Sequence, residues 1–312
     1  MTQITIGVDV SKDTLDVHLH PDGLHRQFSN DTPGFRAILD WVEGQPVSRL
    51  VFEASGAYHR AFERAMGEAG IALCKVNPAR ARRFAEATGQ SAKTDRIDAA
   101  MLARMGAVLE PDTHSAPSET ACELKELHMM RAALVKDRTA AKNRAATLTL
   151  PLLKRQLRQR LAAIDRQVRQ IEQAMRTLIE TDPELIRKRD ILISIPGIAE
   201  RSAFALITGM PELGDLDSQA AGALSGTAPR TRQSGKWTGK AFVQGGRAHV
   251  RRALYMPALA AARFNPDLNQ TYKSLTARGK PPKLALTAVM RKLIVLANAL
   301  IRDNRNWTPK PH

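Results

Sequence analysis

ITIGVDV, residues 4–10, is followed at once by the turn-forming Ser11-Lys12-Asp13 and then by LDVHL, residues 15–19. The first run is apolar and rich in β-branched residues, and the second alternates with period two. Together they predict a β-hairpin. Arg26 to Ser29 predicts a third short strand. Beyond it the pattern switches to helix at Gly34–Val42, strand at Arg49–Ala54, helix at Tyr58–Glu68, strand at Ile71–Val76 and helix at Ala79–Ala87. A three-stranded meander followed by alternating helices and strands is the order of a ribonuclease-H-like α/β domain, although other mixed α/β folds share it.

That frame gives meaning to four carboxylates. Asp9 lies inside the apolar strand, where an unpaired buried charge costs several kcal/mol. Glu53 ends the long strand RLVFEAS, just before Gly56 opens a helix, and ligand residues of α/β sheets gather at strand ends. In SAKTDRIDAAMLAR, residues 91–104, Thr94 is an N-cap candidate, and Ile97, Met101 and Leu102 recur at helical spacing. Asp95 and Asp98 then project from nearly one face of that helix. Taken singly, such acids also serve the positive end of a helix dipole. Brought together, Asp9, Glu53, Asp95 and Asp98 would destabilise one another without cations. They suit two divalent metals about 3.5–4 Å apart, the arrangement used in phosphoryl transfer.

The chain has 312 residues, enough for two domains, and 43% of them are hydrophobic, as in a soluble globular protein. Cys74 and Cys122 make neither a disulfide framework nor a zinc site, in keeping with a reducing cytoplasm. The N-terminus has no basic region leading into an apolar one, and Arg291 and Lys292 interrupt the longest apolar stretch, so no membrane segment is expected. Charge is more informative. The net of +16 is confined to one part of the chain: 13 basic and 14 acidic residues run through Glu110, against 34 and 17 from Pro111 onward. That asymmetry predicts a polyanionic partner, nucleic acid before any other.

From Ser118 to Ile179 the sequence is helical in character. Leu157, Leu161, Ile164, Val168, Ile171, Met175 and Leu178 alternate spacings of four and three, a coiled-coil seam of three heptads. Pro151 separates this arm from a weaker one carrying Leu124, Leu127, Leu134 and Leu148, so an antiparallel hairpin is expected. Its tip, Arg138 to Arg160, has seven basic residues and no acid; Arg144, Lys154, Arg155 and Arg158 are candidate nucleic-acid contacts, while the rod alone would serve dimerisation. Pro196-Gly197 within ILISIPGIAERSAFALI has the pattern of a helix-hairpin-helix turn whose amides can meet phosphate. Between residues 230 and 252 stand Arg230, Arg232, Lys236, Lys240, Arg247, Arg251 and Arg252 with no acid among them. Glycines 235, 239, 245 and 246 let the backbone approach a ligand there. Ser234, between Gln233 and Gly235, is a candidate nucleophile amid those cations. Chemistry alone does not choose it over Ser225.

The segments GVDVSKDTLDV, VFEASGAYHR, KTDRIDAAMLA, IPGI and GTAPRTRQSGKW, followed by GGRAHVRRALY, resemble the DEDD transposases of bacterial insertion sequences. That group includes the Piv and MooV DNA invertases and the bridge-RNA-guided recombinases. The resemblance implies an α/β plus all-α architecture: a RuvC-like (ribonuclease-H-like) DEDD domain over residues 1–115, a coiled-coil hairpin over 116–182, and a mainly helical C-terminal transposase domain over 183–312. It implies a metal-binding tetrad at Asp9, Glu53, Asp95 and Asp98 that takes Mg2+ or Mn2+, two per site. It also assigns the nucleophilic serine to Ser234, which occupies the QSG position. The implied activity is DNA strand cleavage and exchange through a phosphoserine, with donor and target DNA chosen by a structured noncoding bridge RNA. The protein would act as a dimer or tetramer paired through the coiled coil, in the bacterial cytoplasm at the nucleoid. Two other classes compete with it: a metal-dependent RuvC-like junction nuclease without a covalent intermediate, and a nonenzymatic basic coiled-coil nucleic-acid binder.

Overall fold

The computed structural model describes residues 3–53, 56, 58–90, 94–235, 237–239 and 241–309. The chain divides into two compact units, residues 1–118 and 119–312.

In the first unit, strands β1 (Ile4–Val10), β2 (Thr14–His20) and β3 (His25–Ser29) form the expected meander. Helix α1 (Thr32–Val42) follows, capped by Asp31, whose carboxylate accepts from Gly34 N at 2.9 Å. Strand β4 (Val47–Glu53), helix α2 (His59–Glu68), strand β5 (Leu73–Val76) and helices α3 (Pro78–Ala87) and α4 (Asp95–Leu109) complete the unit. The sheet order is β3-β2-β1-β4-β5. β1, β4 and β5 are parallel, and β2 is antiparallel to both its neighbours. This mixed topology is compatible with a ribonuclease-H-like domain.

Period-two alternation splits β1 between the two faces of the sheet. Ile4, Ile6, Val8 and Val10 join Phe35, Ile38, Phe62 and Met66 in the core beneath α1 and α2. Thr5, Gly7 and Asp9 face α4. A Cβ on Gly7 would collide with the backbone of Ala99 and Ala103, and one on Gly106 with the side chains of Val51 and Thr5. Two glycines therefore let the helix lie directly on the strands. On this face Val51, Cys74, Val76 and Ala81 pack against Met101, Leu102 and Met105.

The second unit opens with α5 (Glu119–Ala145) and α6 (Pro151–Glu180). Their antiparallel pairing is marked by Arg131–Glu172 at 2.8 Å and Arg138–Asp165 at 2.9 Å. Of the predicted seam, Ile164, Val168 and Met175 are buried, whereas Leu157, Leu161, Ile171 and Leu178 are half-buried. Ile179, off the seam, is fully buried, because the base of the hairpin merges with the core of the following helices and is covered from a second side. Those helices are α7 (Pro183–Ser194), α8 (Glu200–Gly209) and α9 (Ser218–Leu224). Short strands β6 (Pro229–Arg230), β7 (Gln233–Ser234), β8 (Trp237–Thr238) and β9 (Phe242–Val243) come next. Helices α10 (Ala248–Phe264), α11 (Pro266–Ala277) and α12 (Pro282–Arg302) close the chain. By length and composition α12 could cross a membrane, but half of its most apolar window is buried. Leu286, Val289, Leu293, Ile294 and Ala297 make it the central helix of this core.

The turn at Pro196-Gly197 joins α7 to α8 as anticipated. Gly197 has φ of 110°, and a Cβ there would stand 2.7 Å from Pro257 O and Ala261 N. The glycine face of the turn is thus occupied by α10, and Ile198 N donates to Ile195 O at 3.0 Å, so this turn serves packing.

Candidate functional site

The acid row begins with register. β1 pairs Asp9 with Asp16 of β2, while Gly7 and Val8 sit beside Val51 and Phe52 of β4, which leaves Glu53 next to Asp9 at the strand end. α4 runs over this face with Gly106 near Thr5 and with Ala103 and Ala99 on Gly7. Its first turn, bearing Asp95 and Asp98, consequently lies toward Asp9. Thr94 caps that turn as expected, accepting from Ile97 N at 3.3 Å. Burial first, then the charges of Asp95, Asp98, Glu53 and Asp16, push Asp9 up to about 6. All four sequence-predicted acids therefore share one electrostatic neighbourhood. Among the described residues no three His, Cys, Asp or Glu side chains close into a ready metal cage. The donors are nonetheless all carboxylate oxygens, and mutual repulsion favours a cation between them, so the residues fit a hard divalent metal ion.

Asp16 belongs to this row and escaped the sequence reading. It is buried, with His25 Nε2 at 2.8 Å and Gln27 Nε2 donating at 3.0 Å. Its signal was a polar residue inside the alternating strand, but only the cross-strand register reveals that it faces Asp9. A second cluster, also unanticipated, centres on buried Glu63 of α2. Lys75 Nζ lies 2.6 Å from it, His114 Nε2 3.0 Å and His59 Nε2 3.6 Å. Burial alone would raise Glu63, but hydrogen bonds from His114 and Lys75 prevail and hold it below the usual carboxylate range.

The two candidate serines separate cleanly. Ser225 is fully buried and donates to Gly222 O at 3.1 Å, with Thr227 Oγ1 at 2.9 Å. Ser234 is exposed on β7, paired with Trp237 of β8. That hairpin is nested inside the β6–β9 pair, so Ser234 stands near the apex of a projecting ribbon. Gly235 turns the ribbon with φ of 56°. Arg232 lies 4.6 Å over the Phe242 ring, which stiffens the stem.

The basic residues of this region divide by role. Arg247 forks onto Glu212 at 2.8 and 2.6 Å and also donates to Gly209 O. Arg251 donates to Gly226 O and Gly245 O. These two clamp the loop to the core. Arg230, Arg232 and Arg252 are exposed, and Lys236 and Lys240 lie outside the described residues. At the hairpin tip Arg144, Lys154, Arg155 and Arg158 are all exposed.

Known proteins resemble this chain along most of its length. A DEDD transposase profile of the IS110 type matches residues 6–152, and a profile described as the transposase IS116/IS110/IS902 family matches residues 189–273. Along 100% of both chains this protein is 28% identical to the pilin gene-inverting protein of Moraxella bovis, and 28% identical to that of Moraxella lacunata. It is also 30% identical over 164 residues, 50% of this chain and 38% of the other, to the insertion element IS110 uncharacterized 43.6 kDa protein of Streptomyces coelicolor. With both profiles in order and the invertase relatives aligned end to end, the chain belongs to the IS110-type DEDD transposases, enzymes of DNA transposition and recombination.

Proposed function

We propose that this enzyme cuts and rejoins donor and target DNA through a phosphoserine on Ser234, with Asp9, Glu53, Asp95 and Asp98 holding divalent metal. The observation that carries this reading is the packing of α4 on β1 through Gly7, which turns the Asp95/Asp98 end of the helix toward Asp9 and Glu53. Four carboxylates gathered at a strand end are costly in a folded protein unless a cation joins them.

In the proposed reaction Ser234 Oγ gives up its proton as it attacks a DNA phosphorus, a serine–phosphate bond forms, and the strand's own P–O bond breaks. The departing hydroxyl oxygen takes a proton, and the strand stays on the protein until another hydroxyl reverses the step. Bound Mg2+ or Mn2+ would polarise the phosphate and offset charge on the leaving oxygen. Exposure of Ser234 at the ribbon apex suits an attack on a large substrate, and Arg230 and Arg232 on the same ribbon would hold phosphate.

Sequence choice is assigned to an element-encoded bridge RNA, which fits a protein whose charge excess offers phosphate contacts and no base readout. Exposed Arg144, Lys154, Arg155 and Arg158 extend that backbone surface. The α5–α6 hairpin is assigned to pairing protomers into a dimer or tetramer, and the site of action is the bacterial nucleoid.

The test is to purify the protein from cells carrying its native element, sequence any co-purifying RNA, and incubate the complex with labelled element-end DNA and magnesium. A denaturation-resistant protein–DNA adduct that disappears in Ser234→Ala supports the proposal. Cleavage without an adduct would establish a junction nuclease instead, and binding without cleavage would leave a nucleic-acid binder.

A further inference from the structure

One acid-free stretch of the C-terminal unit has no part in the site above. Residues 268–302 carry seven basic side chains, Lys273, Arg278, Lys280, Lys283, Arg291, Lys292 and Arg302, and no Asp or Glu. They build α11 and α12, which pack side by side next to α9 and leave between them an open cleft of about 700 Å³. Arg278, Arg291 and Lys292 line it together with the hydroxyls of Ser218, Thr271 and Ser274, and no carboxylate is part of the wall.

The head groups are positioned. Lys292 Nζ donates to Thr271 Oγ1 at 3.0 Å, which ties α12 to α11 inside the cleft. Arg278 Nε donates to Ser274 O at 3.2 Å. Arg291 is half-buried, its Nε 3.2 Å from where a Cβ on Gly222 would stand, so it lies across α9. Elsewhere in this unit several partly buried cations meet acids, Arg131 with Glu172, Arg176 with Glu200, and Arg247 with Glu212. Among the described residues Arg278, Arg291 and Lys292 form no ion pair. A concave wall that sets three cations beside hydroxyls and the Gln270 amide, with Leu275, Ala288 and Val295 between them and no carboxylate, fits a phosphodiester with its sugar. Exposed Lys273, Lys280 and Lys283 continue the positive charge along both helices, beyond the reach of a single small anion.

We infer that the cleft between α9, α11 and α12 is a second docking site for the sugar-phosphate backbone of duplex DNA, separate from the Ser234 ribbon. The inference rests on the reading of this enzyme as a DNA recombinase. Its contribution is affinity and orientation, without base recognition.

The experiment is a salt titration of fluorescence anisotropy, with the full-length protein and a labelled duplex, on Arg278→Gln, Lys292→Gln, the double variant, and Ser274→Asp, which sets an acid in the cleft. Arg36→Gln, at an exposed position of α1, removes the same charge elsewhere. Each cleft substitution is expected to lower the slope of log K against log salt by about 1 and the double by about 2, since one phosphate contact contributes roughly 0.9. Ser274→Asp should weaken binding several-fold at low salt, Arg36→Gln should match the wild type, and unfolding midpoints should not move. An unchanged slope in the double variant overturns the inference, as does a change seen with RNA of equal length and not with the duplex. Either result leaves the recombinase reading standing if the wild type still forms its Ser234 adduct. A wild type that neither binds the duplex nor forms the adduct sinks both.

Discussion

Gly7 on β1 and Ala103 on α4 meet backbone to backbone, with no room between them for a single methyl group. This contact, which extends to Ala99, sets how closely α4 lies on the sheet, and the same helix carries Asp95 and Asp98 in its first turn. Gly7→Ala must lift or tilt the helix. Overpacking of this kind costs about 1–3 kcal/mol. A lowered unfolding midpoint and a larger loss of strand cleavage, beyond what stability accounts for, are expected. A variant as stable and active as the wild type would remove the role given to this contact.

Asp9 yields a pH prediction whose sign is opposite to that of a paired carboxylate. Folded Asp9 keeps its proton to about pH 6, whereas an unfolded aspartate releases it near about pH 4. The native state binds the extra proton in that window, so metal-free stability from this group falls as pH rises through it. Asp9→Asn removes the ionised form. Its metal-free unfolding midpoint should exceed that of the wild type above pH 6 and converge with it below about pH 4, while cleavage is lost. Added Mg2+ should raise the wild-type midpoint and leave that of Asp9→Asn unmoved. Equal midpoints across the range, with or without Mg2+, would contradict the burial and crowding of Asp9.

Glu63 runs the other way. Its lowered carboxyl contributes stability that is present above about pH 4.3, the unfolded value, and is lost as pH falls through the folded value. Glu63→Gln leaves Lys75 and His114 without their carboxylate, at about 1–3 kcal/mol near neutrality. Urea unfolding at pH 7 and in acid is the check, and the gap should close in acid.

Ser225 and Ser234 should part company on substitution. Ser225→Ala breaks a buried hydroxyl pair with Thr227 and should lower stability by about 1–2 kcal/mol. Ser234→Ala, at an exposed position, should leave the unfolding curve alone and abolish the adduct. The reverse pattern, an adduct that survives Ser234→Ala and vanishes in a folded Ser225→Ala, would move the nucleophile.

Local order is legible in the sequence itself. The alternation of ITIGVDV and LDVHL, the cap at Thr94 and the break at Pro151 act over a few residues, where pattern and propensity decide. Strands, helices and their sequence therefore emerged close to expectation; Asp9 and Glu53 stood out because charge inside or at the end of an apolar strand is costly, and Asp95 and Asp98 because they share one face of a helix start. What the chain could not state is which distant residues share a face. That Asp16 looks across the register at Asp9, that Glu63 collects Lys75 and His114, and that Arg247 is tied to Glu212 follow from strand pairing and helix packing over long separations. The choice between Ser225 and Ser234 is of the same kind, since each precedes a glycine in the same stretch of chain. Only the folded core, closing over Ser225 and leaving the nested ribbon outside, made one a packing group and the other a reachable hydroxyl.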